Sequence, residues 1–324
     1  MKRYRLILAV AAAAFVLGGC GNSGRKDMLK PYQVSYEMDA VLDNSGEMGR
    51  ADFFAENLCV VTGEEAYTDE LIDAGAAIIF NRTDREVLFS NHAYERLYPA
   101  SITKLMTALV AIENGDLNAT IQITQDMLKG LENTSLANIQ PGETYTLEQL
   151  LYGALLPSGN DAAIAIAYLV GNGNLDNFVA MMNEKAKQIG ATGTHYVNPH
   201  GLSDDDHYTT AYDVYLVLDH LMEHEIFSQI VSTDQYTAEY QDTDGKTGTR
   251  EFNTTVRYTS GSVEMPEGIT VVGGKTGTTT PAGSCLALVS QDGAGKQYIS
   301  VILKASDRES LYEQMDQLFT KILK

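Results

Sequence analysis

Two side chains three positions apart carry the first hint of chemistry in this chain. In "YPASITKLMTALV", Ser101 and Lys104 stand at the start of an apolar run. Positions i and i+3 of a helix share a face, so an amine would lie beside a hydroxyl. A serine hydroxyl is a weak nucleophile until a base takes its proton, and a lysine can be that base where burial or a nearby cation lowers its pKa. Alone the pair says little, because a capping serine followed by a solvated lysine is spelled the same way. A second polar group, Ser158-Gly159-Asn160, falls between two helical stretches, where a loop can aim side chains inward or cap the next helix. A third is duplicated: Lys-Thr-Gly-Thr occurs at 246–249 and at 275–278. Lys246 sits in "QDTDGKTGTR", the composition of a polar hairpin tip. Lys275 follows the apolar "ITVVGG" and precedes Gly277 and small residues, as a sheet edge lining a cleft would, with glycine admitting a ligand to the backbone.

Elements able to position these groups can be read from the hydrophobic pattern. Residues 74–80 read as a buried strand, 81–85 as a polar turn and 86–89 as a returning strand. A helix is expected from 100 to about 113, with Pro99 and Ser101 where a first turn wants them. Thr146 can cap a helix whose Leu147, Leu150, Leu151, Ala154 and Leu155 share one face. "PSGND" ends it, and further helices are expected at 161–170, 175–189 and 210 to about 230. Three short apolar runs after Ile269 ("ITVVGG", "SCLALVS", "QYISVILKA") read as strands, and an amphipathic helix over 308–323 ends the chain. The expectation is an α+β fold: an antiparallel sheet formed by both chain ends, flanked by helices, with a mostly helical middle subdomain.

S-x-x-K, S-x-N and K-T-G in that order resemble the motif set of penicillin-binding proteins and serine β-lactamases. With their flanks, "YPASITKLMT", "LLPSGNDAA", "NPHGL" and "GGKTGTTTPAGSCLAL", they are most similar to the D-alanyl-D-alanine carboxypeptidases, the low-molecular-mass penicillin-binding proteins. The second motif departs from S-D-N in reading S-G-N. The resemblance runs from about residue 74 to the end and implies a β-lactamase/transpeptidase-like fold. It also implies roles. Ser101 would attack the peptide carbonyl, with Lys104 as its base. Ser158 and Asn160 would bridge that lysine and the substrate, Ser158 being a candidate to pass a proton to the leaving amine. Lys275, Thr276, Gly277 and Thr278 would form the substrate-binding strand, Lys275 and Thr276 holding the terminal carboxylate. The N–H groups of Ser101 and Thr278 would make the oxyanion hole. His200 in "NPHGL" lies near the cleft in this family, although a structural turn histidine fits as well. The implied substrate is a peptidoglycan stem peptide ending in D-Ala-D-Ala, the implied inhibitors are β-lactams, and no cofactor or metal is needed.

The N-terminus reads as a lipoprotein signal: basic Lys2, Arg3 and Arg5, an apolar run from Leu6 to Leu17, and Leu17-Gly18-Gly19-Cys20. Residues 1–19 would be removed, Cys20 would carry the lipid, 20–36 would be the lipidated start and tether, and 37–73 an extension of unassigned fold. Residues 74–324 form the expected catalytic domain. The 49 residues after Lys275 are needed for its last strands and helix, so no C-terminal β domain is expected, and the lipid would supply the anchor. The localisation is therefore extracytoplasmic, on the membrane of a bacterial cell envelope. Without residues 1–19 the chain has 20 Lys/Arg against 43 Asp/Glu, a charge of −23 that disfavours nucleic acid as partner. Cys59 and Cys285 read as two buried thiols, there being no C-x-x-C.

Other readings meet specific obstacles. A β-lactamase of the matching class would carry a deacylating glutamate in an E-x-x-L-N segment, which the chain lacks. A D,D-endopeptidase shares all three motifs. His220-Leu221-Met222-Glu223-His224 fits the H-x-x-E-H zinc-peptidase pattern, but that pattern is short and no distal ligand is evident. Gly268 to Thr276 is one residue too long for a P-loop. A non-catalytic binding protein on the same fold is the last alternative.

Overall fold

The computed structural model describes residues 58–61 and 69–323. The signal segment, Cys20, the tether and most of the extension lie outside the described residues.

The first and last parts of the 69–323 region meet in one five-stranded antiparallel sheet. Its strands are β1 (Ala76–Asn81), β2 (Glu86–Asn91), β7 (Ile269–Thr279), β8 (Gly283–Asp292) and β9 (Gln297–Ala305), in the order β2-β1-β9-β8-β7. β1 pairs with β9, Ile78 facing Val301, so the first and last strands close the sheet as the sequence suggested. β1, β8 and β9 are buried on both faces, which is why they read as continuous apolar runs rather than alternating ones. Helix α7 (Arg308–Phe319) covers one face with Leu311, Met315 and Leu318 against Ile79, Leu288 and Ile302. Asp307 starts it by accepting the N–H groups of Glu309 and Ser310.

The other face is covered by helices α1 (Thr103–Asn114), α2 (Leu147–Leu155), α3 (Asn160–Val170), α4 (Leu175–Gln188), α5 (Ala211–Leu221) and α6 (Glu225–Val231). α1 is buried on every side from Thr103 to Ala111, so it is a core helix rather than an amphipathic surface one. A short 3-10 turn, Ala100–Ile102, precedes it and carries Ser101. Thr146 caps α2 in a reciprocal capping box with Gln149, as its sequence proposed.

Two expectations needed revision. The helix expected over 210–230 is two helices broken at Met222–His224. Leu221 and Phe227 are both fully buried, yet six positions on a continuous helix would set them about 240° apart; the break lets each half bury its own face. The second is a small sheet, β3 (Thr120–Gln122), β4 (Thr144–Thr146), β5 (Gln235–Gln241) and β6 (Thr247–Asn253), which the sequence reading did not foresee. Tyr145 of β4 and Arg250 of β6 join Glu143 in a largely buried polar cluster: Arg250 donates to Glu143 Oε1 at 2.5 Å and to Tyr145 Oη at 2.9 Å.

Packing also begins before residue 74. Cys59 is fully buried, its N–H donating to Tyr215 Oη and its carbonyl accepting from the Tyr212 hydroxyl, while Ile72 joins the α7 side of the sheet. Both Cys59 and Cys285 are free buried thiols, as expected. Among the described residues no helix is long and apolar enough to cross a membrane.

Candidate active site

The three motifs converge. The Ala100–Ile102 turn and the first turn of α1 present Ser101, half-buried, and Lys104, fully buried. Lys104 Nζ lies 2.9 Å from Ser101 Oγ, 2.7 Å from Asn160 Oδ1 and 2.8 Å from the His200 carbonyl. Asn160 is the first residue of α3, so the break at "PSGND" does aim the second motif at the lysine. Ser158 stands beside it with φ +64° and 5% exposure. No side-chain hydrogen bond from Ser158 to Lys104 is formed; Asn160 alone of that motif touches the amine.

β7 is the outer strand of the sheet, and its Lys275-Thr276-Gly277-Thr278 segment passes the nucleophile turn. Gly277 is what permits the approach: a Cβ there would lie 3.0 Å from the Pro99 carbonyl and 3.1 Å from Ser101 N. Lys275 is fully buried, its Nζ donating to the Thr276 carbonyl at 2.9 Å. Thr276 shares a 2.7 Å hydrogen bond with the Thr255 hydroxyl, and Thr278 is exposed to solvent. The other copy behaves as its composition suggested. Lys246 is exposed at the β5–β6 turn, where its N–H caps Asp242.

Burial decides the charges. Desolvation, then repulsion from Lys275, drives the Lys104 pKa well below that of an ordinary lysine, with Asp161 pulling weakly the other way. Desolvation alone brings Lys275 down to about 7. An ammonium at Lys104 would donate to all three neighbours. A neutral amine has two protons, and Asn160 Oδ1 and the His200 carbonyl can only accept; its lone pair is therefore left facing the Ser101 hydroxyl. The arrangement can thus deprotonate a serine beside a strand edge and a second lysine that is cationic below about pH 7.

A model of the D-alanyl-D-alanine carboxypeptidases, peptidase family S11, matches residues 63–307. The chain belongs to this family. D-alanyl-D-alanine carboxypeptidase DacF of Bacillus subtilis is 31% identical over 256 residues, 78% of this chain and 62% of the relative, so the chain matches less than two thirds of that protein. The D-alanyl-D-alanine carboxypeptidase of a Streptomyces species is 31% identical over 76% of this chain and 85% of its own length. Among solved structures, the Streptomyces K15 DD-transpeptidase superposes with a TM-score of 0.71 at 29% identity, covering 79% of this chain and 97% of that one. The fold is that of the penicillin-binding proteins and β-lactamases, as the motifs implied.

The zinc-peptidase pattern does not assemble. His220 ends α5 with Nδ1 on the Leu216 carbonyl, whereas His224 lies past the helix break, 3.9 Å from Glu113. No group of three His, Cys, Asp or Glu placed to hold a metal occurs among the described residues. The sequence reading overlooked three residues of the S11 site's surroundings. Asp161 accepts the N–H groups of Ala137, Ile139 and Ala162 and so ties the loop opposite β7 to α3. Thr255 reaches Thr276 from the end of β6. His207, 1% exposed, lies beneath the nucleophile turn. "SGND" signalled the first; nothing in the spacing of the other two did.

Proposed function

We propose that this S11 family member is a serine D-Ala-D-Ala carboxypeptidase that removes the terminal D-alanine of peptidoglycan stem peptides through an acyl-enzyme. The observation that carries the reading is the buried Lys104 amine, which faces Ser101 with its other two partners both acceptors. An extended peptide lies along the open edge of β7 as an added strand. Lys275 and Thr276 hold its terminal carboxylate, Gly277 lets it close on Ser101, and Asn160 holds Lys104 and the substrate amide. Lys104 takes the Ser101 proton as Oγ attacks the penultimate carbonyl, and the oxyanion is met by the N–H groups of Ser101 and Thr278. The intermediate collapses to an ester as the leaving D-alanine nitrogen takes that proton, passed from Lys104 by Ser158. Water then attacks the ester, Lys104 again acting as base. A β-lactam has the same carboxylate and acylates the same serine, and its leaving nitrogen stays tethered.

Lipid on Cys20 places the enzyme at the outer side of a bacterial membrane, where its substrate is. This rests on the Leu17-Gly18-Gly19-Cys20 sequence. Incubation of residues 37–324 with a D-Ala-D-Ala pentapeptide, followed by mass spectrometry, tests the activity: loss of one alanine is expected, and cleavage restricted to cross-linked dimers would make the protein an endopeptidase. The likeness to the Streptomyces K15 DD-transpeptidase favours a second reading, in which an amine intercepts the ester; it predicts a product heavier by the acceptor in the same assay when an amino-acid acceptor is added.

A further inference from the structure

The mechanism requires the Ser101 N–H to face the cleft, and a planar trans peptide cannot turn that N–H without turning the carbonyl on its other side. The carbonyl belongs to Ala100, whose φ of +47° is a conformation that residues with side chains adopt at a cost. It is held there by a series of buried hydrogen bonds. The Thr103 hydroxyl donates to the Ala100 carbonyl at 2.8 Å. The Thr103 hydroxyl oxygen itself lies 2.8 Å from Nε2 of His207, and the Val197 N–H donates to His207 Nδ1 at 3.2 Å. Burial lowers the His207 pKa to about 4, so at neutral pH the ring carries one proton. Because Nδ1 is an acceptor, that proton is on Nε2 and is donated to Thr103, whose own proton is committed to Ala100.

Two glycines bracket the same peptide unit. Gly201, at φ +90°, lies against its carbonyl so closely that a Cβ would fall 1.8 Å from Ala100 O. On the amide side, Gly277 lies against Ser101 N. The carbonyl is thus locked toward the "NPHGL" loop and the N–H toward β7.

We propose that His207 and Thr103 are positioning residues that act through the Ala100 carbonyl to aim the Ser101 N–H at the oxyanion. This deepens the active-site reading above and rests on it. Neither residue touches the substrate, so the signature is a loss in the chemical step rather than in ground-state binding.

The test compares Thr103→Val, which keeps the shape and removes both hydrogen bonds, with Thr103→Ser, which keeps the hydroxyl. Acylation by a fluorescent penicillin over a concentration series separates the initial dissociation constant from the acylation rate constant, and thermal melting monitors the fold. Because loss of a whole oxyanion donor costs roughly 100- to 1,000-fold, a mis-aimed one is expected to slow acylation about 10- to 100-fold in Thr103→Val. The dissociation constant should stay within about threefold, and Thr103→Ser should stay near wild type. Binding of a peptide boronic acid, which forms a tetrahedral adduct on the serine, should weaken in parallel with acylation. A folded Thr103→Val that acylates at the wild-type rate overturns the proposal, as does a Thr103→Ser equally slow or a loss confined to the dissociation constant. If Thr103→Val does not fold, nitrogen-15 spectra of the wild-type histidines decide: His207 protonated on Nε2 supports the relay, and protonation on Nδ1 overturns it. A wild type that is not acylated at Ser101 fails at the level of the active site itself, and the relay falls with it.

Discussion

Replacing Lys275 by methionine should make the protein more stable and nearly inactive at once. Methionine keeps the length of the stem and removes the charge. In the folded protein Lys275 is fully buried and its pKa is brought from 10.5 to about 7 by desolvation. The unfolded chain therefore binds a proton between pH 7 and 10.5 that the folded protein does not, so stability rises with pH through that window and the penalty is complete below pH 7. At about 1.36 kcal/mol per pKa unit the penalty is at most about 5 kcal/mol at pH 6 and about 2 kcal/mol at pH 9. Lys275→Met escapes it, so its melting temperature should exceed wild type by several degrees at pH 6, where each kcal/mol is worth about 2 to 4 °C, and by less at pH 9.

The same change removes the counter-charge of the substrate carboxylate. A desolvated charge pair is worth about 2 to 5 kcal/mol, which is a loss in kcat/KM of about thirtyfold to several thousandfold. Lys246→Met is the control. Its side chain is exposed, so stability should move by no more than about 0.5 kcal/mol and alanine release should be unchanged. The assay is D-alanine release alongside melting curves at the two pH values. A Lys275→Met protein that melts below wild type at pH 6, or releases alanine at the wild-type rate, would refute the account of a buried, strained cation kept for its substrate.

Wild-type kcat/KM should be bell-shaped in pH, falling on the acid side as Lys104 takes a proton and falling above about pH 7 as Lys275 loses one, with both limbs belonging to the coupled pair; a flat profile from pH 5 to 9 would contradict it. Thr255→Val should raise KM up to about tenfold with kcat little changed, since one hydrogen bond orienting Thr276 is worth about 0.5 to 1.5 kcal/mol, and Thr255→Ser should restore it. Glu143→Gln leaves a partly buried Arg250 without its anion and should destabilise by about 1 to 3 kcal/mol in thermal or urea unfolding. Cys20→Ala should abolish incorporation of a labelled fatty acid; equal labelling of the mutant would remove the lipid assignment.

What the sequence made legible follows the physics of each element. β1, β8 and β9 are apolar on both faces, so their runs stood out, and α2 carried both its stripe and its capping box. β3 and β4 have three residues each, too few for any period to register, and β5 and β6 carry mostly polar residues between single buried positions. The break after Leu221 was hidden because apolar residues continue past it without a glycine or proline. At the candidate site, motif order, which is a sequence property, picked out Ser101, Lys104, Asn160 and Lys275, and the structure brings the first three into contact. Thr255 and His207 reach the site across 21 and 104 positions, and a contact of that kind leaves no local trace.

One trace of the site is nevertheless written in the backbone. Eight residues other than glycine have positive φ among those described, and three are asparagines, which tolerate it. Arg85, His92 and Lys304 carry theirs at partly or fully exposed positions, where solvent can satisfy a turn. Only Ala100 and Ser158 combine positive φ with burial. They fall in the first and second motifs, Ala100 in the turn that carries Ser101 and Ser158 two positions before Asn160, which accepts from buried Lys104. Each strained residue costs about 1 to 3 kcal/mol and each buried amine several more. Local rules are broken together in one place, and that place is where the proposed mechanism holds a hydroxyl, a neutral amine and a cation within reach of one carbonyl.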